Sequence, residues 1–196
     1  MTDVSRRDLL KSLTIGVTAG SLLRVISAQA AETAHKMVQV EKAASPVGYA
    51  PKFFPAQQYK TLQALCQTII PPDGETGGAV EAGAPEWIDL LTSENPEYQL
   101  KLGGGIMWLD GTCRDRYGKA YLDCTPDQQK GILDLIAYRK NAIQEQGLSP
   151  GVEFFSFLRN LAADGFFTSA IGIKYLGYVG NLHVKEFTGC PPVPEA

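Results

Sequence analysis

The sequence predicts an all-α protein: one compact helical domain of about six helices, with an extended N-terminal arm and an irregular C-terminal tail rich in glycine and aromatic residues. Three observations predict it. Apolar residues recur at helical spacing through most of the chain. Helix-opening signals precede the apolar runs, at Asn95-Pro96, Thr125-Pro126-Asp127-Gln128 and Ser149-Pro150. No stretch sustains the period-two alternation of a half-buried strand.

The chain opens on Ser5-Arg6-Arg7-Asp8-Leu9-Leu10-Lys11, followed by an apolar run over residues 13–26 that ends at Ala28-Gln29-Ala30. A basic front, an apolar middle and a small-x-small exit make a cleavable export signal. The paired arginines Arg6 and Arg7 point to its twin-arginine form, a route that carries folded cargo. The run of 14 residues, interrupted by Gly16, Gly20 and Arg24, is short of the roughly 20 that span a bilayer. The reading is therefore a signal over 1–30, cut after Ala30, with no stable membrane span afterwards and a periplasmic destination. An arm over 31–54 and a helical domain over 55–196 follow.

Of the 196 residues, 166 remain beyond Ala30, enough for one domain with a real core. The first thirty residues hold four basic and two acidic side chains, which leaves 14 basic and 19 acidic in the rest, a net charge near −5. An acidic balance argues against nucleic acid and anionic membranes as partners, since both reward lysine and arginine.

The arm ends in Ser45-Pro46-Val47-Gly48-Tyr49-Ala50-Pro51 and shows no period; Met37, Val38 and Val40 are its only hint of a short helix. Residues 55–70 are the first clear helix, opened by Pro55 and striped by Leu62, Leu65, Cys66, Ile69 and Ile70. Pro71-Pro72 stops it. Asp73, Glu75 and Glu81 in the following glycine-rich loop lack the alternation of a calcium loop and read as solvated. A short helix over 85–91 carries Trp87, Ile88, Leu90 and Leu91. A longer one runs from Asn95 through Leu102, Ile106 and Leu109 to Tyr117, with Gly103-Gly104-Gly105 inside it. Three glycines either break that helix or admit another backbone very close. No strand precedes them, so they do not read as a phosphate loop. The capping box at Thr125 opens a helix expected to continue to Gln146, where Gly147 ends it. Ser149-Pro150 opens the next, loaded with Phe154, Phe155, Phe157, Leu158 and Leu161. At roughly 25 cal/mol per Å² its aromatic area makes it the expected centre of the core. From Gly165 the chain reads as a tail needing a surface to lie on, with Phe166, Phe167, Tyr175, Tyr178 and Phe187 as candidate contacts to a partner.

Signatures of chemistry are missing from the sequence. His35 and His183 have no i, i+4 histidine partner, there is no Cys-x-x-Cys, and no Gly-x-Ser-x-Gly turn supports a serine nucleophile. Carboxylate pairs such as Glu94 and Glu97, or Asp110 and Asp115, fall on polar helix faces. The expectation is no catalytic, cofactor or metal residue in this chain. Cys113 and Cys124 flank a helix end and are candidates for a local disulfide. Cys190, in a Gly-Cys-Pro-Pro turn, is a candidate for a link to another chain, with pairing to Cys66 or a free thiol as the alternatives.

Four groups of residues together resemble the gluconate 2-dehydrogenase subunit 3 family. They are the twin-arginine signal; residues 65–72 with Trp87-Ile88-Asp89; Phe154-Phe155-x-x-Leu158-Arg159; and Asp164-Gly165-Phe166-Phe167-Thr168-Ser169 with Gly177-Tyr178-x-Gly180-Asn181 and Gly189-Cys190-Pro191. One departure is Leu9, where such signals more often carry phenylalanine. The resemblance implies a non-catalytic small subunit that serves as scaffold and export escort. Its expected partner is a FAD-containing catalytic subunit of the glucose-methanol-choline oxidoreductase type, acting on a sugar or sugar acid, with a cytochrome c as a further partner. The competing readings are a stand-alone periplasmic enzyme and a stand-alone helical ligand-binding or structural protein.

Overall fold

The computed structural model describes residues 27–45, 48–74, 76–145 and 147–180, and every described element is helical. Helix α1 spans Ala28–Ala44, α2 Ala56–Ile69, α3 Ala84–Glu94 and α4 Pro96–Tyr98. A π-helical turn over Gln99–Gly103 joins α4 to α5, Gly104–Tyr117. A 3-10 turn over Tyr121–Asp123 leads to α6 Pro126–Ile136, α7 Arg139–Gln144, α8 Ser149–Phe167 and α9 Ala170–Tyr175.

Two elements hold the others. α8 presents Phe154, Phe155, Leu158, Leu161, Ala162 and Phe166 to the interior, all buried. α3 is buried almost all round, with Trp87, Ile88, Leu90 and Leu91 fully removed from solvent. They pack on each other, and the remaining helices contact one or both. A helix buried on nearly every face belongs inside a bundle, and α3 is that helix here, with Glu86, Asp89 and Thr92 buried beside its apolar residues. Gly165 lies inside α8, where a Cβ would come within 3.1 Å of both Ala84 Cβ and Trp87 Cε3. That glycine brings α8 against α3.

Three sequence readings change. The arm expected to be extended from residue 31 is helical to Ala44, with Ala31, Ala34, Met37 and Val38 buried and Val40 exposed. Its apolar content is mostly alanine, which fits between close helices yet contributes little to a hydrophobic period. The described stretch over residues 48–55 has no regular secondary structure. It is pinned by Asp89, a fully buried carboxylate of α3 that accepts from Tyr49 Oη (2.8 Å) and from the backbone N–H groups of Lys52 (2.7 Å), Phe53 (3.1 Å) and Phe54 (3.0 Å). The helix expected from Thr125 to Gln146 breaks after Ile136, because Asn141 Nδ2 donates to the carbonyls of Asp134 (3.2 Å) and Leu135 (2.9 Å) and so caps α6 from outside. The tail expected to be irregular from Gly165 instead continues α8 to Phe167 and adds α9.

The capping box expected at Thr125 is present. The capping box closes from both sides, with Gln128 N–H on Thr125 Oγ1 (3.3 Å) and Thr125 N–H on Gln128 Oε1 (3.0 Å). Asp73 and Glu81 act as turn acceptors: Asp73 Oδ1 takes the Thr76 N–H at 2.6 Å, and Glu81 Oε2 takes the Gly78 N–H at 2.9 Å.

Candidate partner-binding surface

α8 delivers the chain to one surface. Its last turn buries Phe166 and leaves Phe167 40 % exposed. Ser169 then reverses the direction: its hydroxyl donates to Phe166 O at 2.6 Å and accepts from Gly172 N–H at 3.0 Å, capping α9. The turn is so tight that a Cβ on Gly172 would meet Phe166 O at 2.1 Å. α9 folds back with Tyr175 6.4 Å from the buried Phe166 ring, and Phe167 packs on the same ring at 5.1 Å. Beyond that contact Ile173, Tyr175, Leu176, Tyr178 and Val179 are all exposed, Val179 by 75 %. An apolar strip from Phe167 to Val179 therefore stands on the buried Phe166 ring. Contiguous apolar surface of this kind marks an interaction site more often than a free surface.

The strip contains three of the five residues expected at a partner contact: Phe167, Tyr175 and Tyr178. Phe166 is a correction. It is 3 % exposed and forms the base of the strip, because α8 runs one turn further than the sequence suggested. Phe187 lies outside the described residues, as do Cys190 and the signal residues Ser5, Arg6, Arg7, Leu9, Leu10 and Lys11. Ala28 and Ala30 lie in the first turn of α1, Ala28 exposed and Ala30 buried.

A second apolar region lies on another side. Leu100, Lys101, Trp108, Arg139, Phe154 and Phe157 help line a groove of about 1050 Å³ beside the π-helical turn. Leu100, Met107, Tyr138 and Ile143 are exposed apolar side chains of the same helices. The π-helical turn interrupts the helix expected from Asn95 to Tyr117 and ends at the first glycine of the triplet, and such turns frequently mark functional positions.

Two arrangements bear on chemistry. His35 of α1 stacks on Trp87, ring centroids 5.7 Å apart, and its Nε2 meets Thr168 Oγ1 at 2.9 Å. A histidine beside a hydroxyl suggests a base and a nucleophile. The proton positions oppose that: Thr168 donates to Asp164 O at 2.6 Å, so the histidine N–H donates to threonine. Burial holds the imidazole down at about 4, with a hydrogen bond to the Gly165 backbone pulling the other way. The contact ties α1 to the end of α8. Sequence reasoning missed it because the two residues are 133 apart.

Cys113 and Cys124, expected as a local disulfide, are buried free thiols. They do meet: burial first and then the neighbouring Cys124 push the Cys113 thiol up to about 12. Cys124 Sγ is directed at Ala120 O, 3.4 Å away. Cys66 is also a buried free thiol, pushed well above the ordinary cysteine range by burial. Among the described residues no group of three or more His, Cys, Asp or Glu side chains is placed to hold a metal. No described helix is long and apolar enough to cross a membrane.

The sequence profile described as gluconate 2-dehydrogenase subunit 3 matches residues 56–186, two thirds of the chain and the whole of the strip. The chain belongs to that family. It is thereby a subunit of a gluconate 2-dehydrogenase complex, which associates with other subunits. Comparison with curated proteins and comparison with solved structures each returned no significant match. The family match begins at Ala56, so α1 and the stretch pinned by Asp89 lie outside it.

Proposed function

We propose that this chain is the non-catalytic small subunit of a periplasmic, FAD-dependent sugar or sugar-acid dehydrogenase. In this reading it is scaffold and export escort for a catalytic subunit of the glucose-methanol-choline type. The observation that carries the reading is the apolar strip from Phe167 to Val179, exposed on the buried Phe166 ring within the family match. The twin-arginine signal supports the escort role, because a folded complex crosses by that route with one signal between two chains. The one polar contact described above that resembles a catalytic pair is spent on structure: His35 holds α1 to the end of α8. The flavin and its redox chemistry then belong to the partner, with a cytochrome c as electron acceptor.

The test is recovery of the tagged chain from periplasm, read by flavin absorbance and mass spectrometry, with and without reductant. Co-purification of a yellow partner of oxidoreductase size is the expected result. Loss of that partner under reductant would add a cysteine link through Cys190. A colourless monomer would refute the reading. It would favour a stand-alone ligand-binding protein, for which the groove beside Trp108 is the place to look.

A further inference from the structure

The exit Ala28-Gln29-Ala30 is written for a leader peptidase, but the fold takes it for another purpose. Ser27 caps α1, its Oγ accepting from Ala30 N–H at 3.2 Å. The Ala31 N–H, half of the peptide bond to be cut, donates to Ser27 O at 3.0 Å. Ala31 O accepts the indole N–H of the buried Trp87 at 3.3 Å. Ala30 and Ala31 are each 1 % exposed, and α1 packs along α3.

Leader peptidases hold their substrate extended and read the small residues at the first and third positions before the cut. In an extended chain those two side chains point the same way; in a helix they point roughly 200° apart. Here Ala28 faces solvent and Ala30 faces the core. Presenting both together means removing the Ser27 cap, breaking the Trp87 bond and drawing two alanines out of the interior. Cleavage would also leave the new ammonium of Ala31 buried at the positive end of a helix, where both burial and the helix dipole oppose it.

We infer that folding closes the Ala30–Ala31 bond to leader cleavage, so that a chain exported in its folded state keeps its first thirty residues. The described domain then begins at Ser27, and the residues before it stay with the subunit. This replaces the reading of a signal cut after Ala30. Its biological setting rests on the folded-export reading above; the protection of the bond does not.

Two substrates test it: the purified full-length chain, and a synthetic peptide of residues 20–37 as the unfolded reference. Each is incubated with purified leader peptidase in detergent, and the products are weighed by mass spectrometry. Cleavage of a folded chain scales with the population opened at the site. The peptide is expected to be cut between Ala30 and Ala31, and the chain at least about tenfold more slowly, a ratio that corresponds to a local opening equilibrium of one in ten or less. Equal rates overturn the inference. An uncut peptide overturns it too, because the sequence and not the fold would then be the obstacle. In cells, a periplasmic chain starting at Ala31 overturns it and leaves the escort reading standing. A chain never found in the periplasm overturns the escort reading, and the two rates still decide the inference.

Discussion

Asp89 is the residue on which the N-terminal part depends. It lies on the buried helix α3 and satisfies three backbone donors and one phenol. Asp89→Ala would leave all four without acceptors in a site closed to solvent. An orphaned buried donor costs about 1–3 kcal/mol, so the variant is expected to lose about 3 kcal/mol or more, read as a lower urea midpoint. A midpoint shift under about 1 kcal/mol would show that the stretch re-solvates freely. His35 supplies a pH dependence. Its folded value, about 4, lies below the ordinary histidine value, so folding favours the neutral ring. The contribution is complete above about pH 6.5 and is lost as pH falls toward 4. The denaturation midpoint of the wild type should therefore drop more steeply across that window than the midpoint of His35→Gln. Parallel curves would mean that the ring is solvated in the native state.

At the scale of elements, the glycine triplet resolves into different tasks. Gly105 faces the core helix: a Cβ there would lie 2.0 Å from Phe154 Cδ2. Gly104 has nothing within 4 Å. Gly105→Ala is expected to cost about 1–3 kcal/mol through overpacking against α8. Gly104→Ala should stabilise by about 0.5–1 kcal/mol through the restricted unfolded chain. Thermal melts of the two variants should shift in opposite directions. Two shifts of the same sign would mean that α5 and α8 are not in the contact described. The sequence raised close approach as one of two outcomes for this triplet, but it could not say which glycine meets which ring, because Phe154 is about fifty residues away.

At the scale of the molecule, core and surface make separate predictions. Cys66, Cys113 and Cys124 are buried, and burial raises the thiols of Cys66 and Cys113. At pH 8 in the folded, reduced chain, none of the three should react with a thiol reagent until denaturant is added, since the thiolate is the reactive form. Fast labelling of any of them would place it at the surface. The strip predicts the opposite sensitivity. Tyr175→Asp and Leu176→Asp change exposed side chains and should move stability by no more than about 0.5 kcal/mol. They should weaken association with the proposed catalytic subunit by at least tenfold, because truncating a buried anchor at an interface costs about 2 kcal/mol or more. Normal complex formation by both variants would remove the strip from the interface.

The sequence by itself determined what is local. Cap residues, proline stops and the apolar stripes of α2, α6 and α8 each act within a few residues, and each was legible at Pro55, Thr125 and Ser149. The aromatic loading of α8 announced the core helix, which the structure bears out. Tertiary structure decided what depends on partners far along the chain. α1 is helical because alanines, silent in any hydrophobic pattern, fit against Trp87. The task of Asp89 was set only when the backbone of residues 52–54 arrived to bond it. Phe166 and Phe167 are neighbours of one kind, and only the crossing of α8 with α3 and the return of α9 made one of them core and the other surface.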